Sequence, residues 1–217
     1  MLLRYRTAWL ACRNLLKHQG LYRTVRSGRP VRRDGSPIPW FTFPAIEFLD
    51  QFDFSEADAF EYGSGNSTLY WQARVGSLVS IEDDAEWFEE VSAGTNSDLV
   101  DYRMISDPEA YVASIVGGSY DLIIIDGSHR ERCVDPAADA LKAGGMIVFD
   151  NADWFPGAAA VLRSRGLIEI DFAGIAPLNA YTSTTSLFLH PGINLRPRGP
   201  QPRVGAGGMP ENVRSPS

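Results

Sequence analysis

Cysteine and histidine are scarce in this chain of 217 residues, and the scarcity narrows its chemistry before any motif is considered. The two cysteines, Cys12 and Cys133, are far apart and form neither a CxxC pair nor a Cys/His group, so no disulfide framework or structural zinc site is expected. A reduced, cytoplasmic setting is the corresponding expectation. No apolar run approaches the roughly 18 to 20 residues that a membrane span requires. The basic start, Met1 to Leu16, has a short apolar stretch, but Arg13 interrupts it and no small-residue cleavage site follows. It reads as part of the folded protein, and no internal repeat is visible.

Acidic residues are missing from the first 33 positions, which hold nine of the 20 Lys and Arg and so carry +9. The other 11 basic residues face 27 acidic ones, leaving −16 on the remainder. An acidic body lacks the basic track that a nucleic acid gripped along its surface would need, so no nucleic-acid partner is expected. Residues 1–33 could instead meet an anionic lipid surface, a phosphate-bearing substrate or an acidic partner, or form a solvated helix beside the acidic domain.

With 44% apolar and 22% charged residues, the length suits one substantial core with decorated ends. Residues 2–18 place Leu2, Tyr5, Trp9, Leu10 and Leu16 at roughly helical spacing, giving an amphipathic basic helix, and Gly28 to Pro39 reads as a linker. Residues 1–37 thus form an N-terminal arm, 38–190 the main domain, and 191–217 a Pro/Gly-rich tail with too little apolar surface to fix itself.

From residue 58 short apolar runs alternate with helix signals, the pattern of a parallel sheet covered by helices. Strands are expected near 58–62, 78–82, 99–105, 120–126 and 146–150. Gly76 reads as the end of a first helix, Asp83 or Asp84 as the start of a second, and Asp107-Pro108 and Asp135-Pro136 as capped starts of two more. The run Leu122 to Ile125 is apolar at every position, as a central strand covered on both faces must be. Residues 167–173 and 184–190 read as two strands without an intervening helix, hence as antiparallel neighbours.

The segment Glu61-Tyr62-Gly63-Ser64-Gly65-Asn66-Ser67-Thr68 runs from a strand end through a glycine turn into a helix, which lets backbone N–H groups approach a ligand. Alone it says little, because glycines also serve such turns sterically. Glu82, at the end of the next strand, adds a carboxylate able to accept both hydroxyls of a ribose. A dinucleotide enzyme would need a third glycine where Thr68 stands, which disfavours that reading.

Over roughly residues 38–190 the sequence resembles the class I S-adenosylmethionine (SAM) dependent methyltransferases. Their first motif, an acid followed by Gly-x-Gly-x-Gly, matches Glu61 to Ser67, with Ser67 in place of the last glycine. Tyr120 to Gly127 resembles their fourth strand, and Lys142 to Asn151 their fifth. The resemblance implies a Rossmann-like, seven-stranded, mostly parallel α/β sheet with an antiparallel C-terminal hairpin and helices on both faces. It also implies a cofactor site of Glu61, Tyr62, Gly63, Ser64, Gly65, Ser67, Glu82, Asp83 and Asp126: Glu61 organising the turn and the methionine moiety, Glu82 the ribose, Asp83 near the adenine edge, and Asp126 facing the reaction.

Where the acceptor is a hydroxyl, its proton must leave. His129 could act as a base near neutral pH or simply order its loop. Alternatively, Asp126, Asp150 and Asn151 resemble the Asp and Asp-Asn ligands of the magnesium-dependent catechol and caffeoyl-coenzyme A O-methyltransferases, which would make a divalent cation such as magnesium a second cofactor. Asp150-Asn151 would otherwise only cap the next turn. Trp40, Phe41, Phe43 and Trp154 are candidate walls of an acceptor pocket, whereas Trp71, Trp87 and Phe88 read as core. Arg130 and Arg132 suit either an anionic substrate or a solvated helix face. The expected function is O-methylation of a small-molecule or sugar-like acceptor. The competing expectation is a non-catalytic module of the same fold that docks through its basic N-terminal helix.

Overall fold

Four consecutive apolar residues in the middle of the chain set the layering. In β4 (Tyr120–Ile125), Ile123 and Ile125 enter one buried cluster while Leu122 and Ile124 enter another on the opposite face of the sheet. The period of two along a strand sends neighbours to opposite faces, so a strand apolar at every position must be covered twice.

The computed structural model describes residues 2–208. Three helices, α1 (Leu2–Lys17), α2 (Leu21–Ser27) and α3 (Phe43–Leu49), precede an alternation of β1 (Phe54–Tyr62), α4 (Asn66–Gln72), β2 (Val75–Glu82), α5 (Ala85–Ser92), β3 (Val100–Met104), α6 (Pro108–Ala113), β4, α7 (Arg130–Ala140) and β5 (Leu141–Phe149). A 3-10 turn (Ala152–Trp154), α8 (Pro156–Ser164), β6 (Ile168–Ile175) and β7 (Thr182–Leu189) complete the domain. The seven strands lie in the order β3-β2-β1-β4-β5-β7-β6. They are parallel from β3 to β5, and β7 runs antiparallel to both β5 and β6. The mostly parallel sheet and its C-terminal hairpin match the sequence expectation.

One face is covered by α6, α7 and α8 through Tyr111, Cys133, Val134, Ala137, Ala159 and Leu162; the other by α3 and α4 through Ala45, Ile46, Leu49, Tyr70 and Trp71. Two caps form as read: the Asp84 side chain accepts from the Trp87 N–H and that of Asp107 from the Ala110 N–H.

Three local expectations fail. Asp135-Pro136 does not start a helix, because α7 begins five residues earlier at Arg130 and carries Pro136 inside it. Burial of Cys133 and Val134 and the bonds of Arg130 to the strand ends hold that first stretch helical despite the proline. Gly76 lies within β2 rather than closing α4, packed where an added Cβ would sit 3.0 Å from the Ser55 carbonyl oxygen. The tail is anchored as far as it is described. Asp53 donates its N–H to the Arg196 carbonyl and Arg198 to that of Gln51, both at 2.8 Å, while Ile193 and Leu195 pack on the α3/α4 cluster. Residues 209–217 of the expected tail lie outside the described residues. Between α1 and the linker lies a helix that was not anticipated, α2, whose buried Thr24 exchanges hydrogen bonds with the backbone of Val31.

Candidate functional site

Strands β1 and β4 are neighbours, yet the helices after them leave to opposite faces: α4 joins the α3 side and α7 the α6/α8 side. Such a switch opens a crevice at the C-terminal ends of the strands, where ligands of open α/β sheets bind. A cleft of about 310 Å³ lies there, floored by Ser64, Gly65, Asn66 and Ser67 after β1 and by Asp126, Arg130, Asp150 and Asn151 after β4 and β5.

The two loops touch at a pair of glycines. Gly63 has φ +86°, and a Cβ on it would sit 2.2 Å from the Gly127 Cα. No side chain fits between these strand tips, so Gly63 serves contact between loops as well as turn geometry.

Glu61 is fully buried behind the turn. Its Oε2 accepts the hydroxyls of Thr68 and Ser80, each at 2.6 Å, and Thr68 in turn accepts the Gly65 N–H at 3.0 Å. Its Oε1 is buried without a hydrogen-bond partner. Burial pushes the carboxyl up to about 7, against the lowering effect of its hydroxyl donors. Thr68, which excluded the dinucleotide pattern, thus couples the buried acid to the turn.

Glu82, at the tip of β2, accepts from four donors. Its Oε2 takes the Ser64 N–H at 2.9 Å and the Ser64 hydroxyl at 2.7 Å; its Oε1 takes the N–H groups of Asp83 and Asp84. The Ser64 hydroxyl also meets that of Tyr102 at 2.6 Å, and Trp87 donates its indole N–H to the Ser64 carbonyl at 2.8 Å. Trp87 therefore covers the turn with its indole half-exposed, instead of filling the core as read from sequence. Trp71 is core as expected, and Phe88 stacks on Tyr102. Asp83 accepts the Ser128 hydroxyl across the crevice at 3.2 Å. Tyr62 turns its ring into the core and donates its hydroxyl to the Val112 carbonyl, so only its backbone belongs to the turn.

A nucleoside cofactor can be tested against this donor set. Glu82 already holds a hydroxyl, that of Ser64, which is the bond a ribose hydroxyl would take, and Glu61 carries an unsatisfied buried oxygen beside the turn. These residues fit such a group.

A divalent cation fits less well. The Arg130 guanidinium fills the space among the three residues read as ligands, donating to the Asp126 carbonyl and carboxylate at 2.7 and 2.9 Å and to the Asp150 carbonyl and Asn151 Oδ1 at 2.6 and 2.8 Å. The Asp150 carboxylate turns away to accept the Thr185 hydroxyl. Burial raises both acids, and the adjacent guanidinium opposes the rise at both; Asp126 adds to the rise at Asp150, while the Thr185 hydroxyl counters it.

His129 lies outside the cleft. It adopts a left-handed conformation, φ +54°, at the start of α7, and lines an adjoining depression that shares Arg130 and Trp154 with the cleft. Trp40 and Trp154 wall the cleft as expected, whereas Phe41 and Phe43 are buried in the α3 cluster. Sequence reasoning did not find Asn179 and Tyr181 of the β6–β7 hairpin or Gly28 to Pro30 of the N-terminal arm, which complete the walls. Asn66 donates to the Pro30 carbonyl, fixing that arm to the glycine turn. Local sequence carries no sign of contacts this distant, although the clustering of glycine and proline at 28–30 marks a turn.

No family model and no curated protein matches this chain. Among solved structures it is similar to the precorrin-6y C5,15-methyltransferase from Geobacter metallireducens GS-15, with a TM-score of 0.52 at 13% identity over 67% of this chain and 86% of that one. An rRNA methylase from Streptococcus thermophilus aligns with a TM-score of 0.49 at 15% identity over 70% of this chain and 97% of that one. The chain shares a Rossmann-like fold with the first of these.

Proposed function

We propose that this chain binds SAM at the β1–β2 edge of the cleft and transfers its methyl group to an oxygen of a small-molecule acceptor held at the β4–β5 edge. The observation that carries the reading is the convergence, at one topological switch point, of the Glu61/Gly63 turn, the hydroxyl-holding Glu82 and the Asp126 carboxylate. The similarity to a methyltransferase fold supports it without naming an acceptor.

SAM when bound would supply a methyl carbon activated by its sulfonium, open to in-line attack by an acceptor oxygen with the neutral thioether as leaving group. Glu82 holds the ribose, exchanging the Ser64 hydroxyl for those of the ligand. Glu61 fixes the turn from behind through Thr68. Arg130 orients Asp126 and opposes the burial that raises its carboxyl, and Asp126 would take the proton of the acceptor hydroxyl as the methyl group is transferred. Trp40, Trp154 and Tyr181 enclose the acceptor and exclude water. Incubation with methyl-tritiated SAM and separate panels of hydroxylated small molecules, RNA and protein tests the reading. Label in the small-molecule panel, lost in Asp126→Asn, is expected, and label confined to RNA or protein rejects the proposed acceptor class.

A further inference from the structure

The N-terminal arm carries an apolar stripe that is left exposed among the described residues. In α1, Tyr5, Trp9, Cys12 and Leu16 recur at intervals of four, three and four residues and so share one face, and all four are exposed, Tyr5 by 71% and Trp9 by 62%. Arg6, Arg13 and Lys17 follow along one edge of that stripe, and the Arg13 guanidinium lies 5.3 Å from the centre of the Trp9 ring. In α2, Tyr22 and Val25 are each 65% exposed, and Arg23 and Arg26 lie beside them. Between the two helices, Lys17, Arg23, Arg26 and Arg33 share a groove of about 620 Å³ with Leu16 and Tyr22.

We infer that α1 and α2 dock this protein flat on an anionic lipid bilayer surface, with the apolar stripe among the acyl chains and the basic residues at the phosphates. A helix lies in a bilayer interface when it pairs a continuous apolar face with flanking Lys and Arg, and Trp and Tyr favour that depth. No helix among the described residues is long and apolar enough to cross the membrane, which suits surface docking. The charge distribution selects the surface and the orientation together: +9 over residues 1–33 attracts anionic lipid, while −16 on the rest repels it. A polyanion such as RNA would satisfy the arginines but leave the Tyr5, Trp9 and Leu16 stripe in water. The inference stands independently of the proposed catalysis. It adds that Gly28 to Pro30, which follow α2 and wall the cleft, lie next to the docked arm.

Sedimentation of the full chain with vesicles tests this, using phosphatidylcholine alone and phosphatidylcholine mixed with phosphatidylserine, at low and high salt. Binding to the mixed vesicles only, weakened by salt, is expected. The triple variant Arg6→Glu, Arg13→Glu, Lys17→Glu should lower partitioning by about a hundredfold, since each basic residue at the surface contributes roughly a fivefold factor. Trp9→Ser should lower it by about tenfold or more through lost apolar burial. All these positions are exposed, so an unchanged thermal unfolding midpoint confirms that each variant is folded. No vesicle binding, equal binding by the folded variants, binding to homopolymeric RNA but not vesicles, or self-association through α1 would each overturn the inference.

Discussion

Ser64 donates both its backbone N–H and its hydroxyl to one oxygen of Glu82, at 2.9 and 2.7 Å. The carboxylate that would receive a ribose therefore already holds a hydroxyl, and any nucleoside entering must displace it. Ser64→Ala should bind SAM about three- to tenfold more tightly, because a competing hydrogen bond of roughly 1 kcal/mol is gone. Titration calorimetry checks this; weaker binding by Ser64→Ala would mean that the hydroxyl contacts the ligand itself.

Glu61 links the site to pH. Its carboxyl is raised from 4.5 to about 7 by burial, so the folded state binds a proton that the unfolded state releases between those values. Stability contributed by the protonated form is complete below about pH 4.5 and is lost as pH rises toward 7. Glu61→Gln should therefore gain stability relative to the parent chain as pH rises from 5 to 8, by an amount of order 3 kcal/mol. Urea unfolding at several pH values measures it, and a pH-independent difference would contradict the assigned burial effect.

Arg130 bridges Asp126, Gly127, Asp150 and Asn151. Arg130→Ala leaves buried acceptors unpaired and should cost about 3 kcal/mol in chemical unfolding. Because the guanidinium occupies the space a metal would need, chelation should leave activity of the parent chain unchanged. Loss on chelation with recovery in magnesium would return the three residues to the role of ligands.

Asp126 and His129 separate two accounts of proton removal. Asp126→Asn should lower kcat by about a hundredfold or more while leaving SAM affinity nearly unchanged. His129→Gly, which suits the left-handed backbone, should change kcat by less than about threefold, since the imidazole lies outside the cleft. A large kcat loss in His129→Gly would reverse the assignment.

Legibility from the sequence followed the range of the forces involved. The run Leu122 to Ile125 announced its strand because burial on both faces leaves a local pattern, and Asp84 and Asp107 announced helix starts because capping is local. Asp135-Pro136 misled because packing of Cys133 and the bonds of Arg130 outweighed a local start signal. The placement of Glu61 and Glu82 at neighbouring strand tips, with Gly63 in the turn between strand and helix, was legible from the strand-turn-helix order. The part played by Arg130 was not, because the guanidinium acts across three strand ends that only the fold brings together. Trp87 was read as core for its size; its indole N–H found the Ser64 carbonyl instead.

The claim on which the rest depends is that the turn at Gly63 and the carboxylate of Glu82 form a SAM site. Calorimetric titration of the purified chain with SAM and with S-adenosylhomocysteine, repeated on Glu82→Ala, tests it most directly. The expected result is saturable one-to-one binding of both ligands, weakened by about tenfold or more in a Glu82→Ala variant that stays folded. Absence of binding by either ligand, or equal binding by the folded variant, would contradict the assignment.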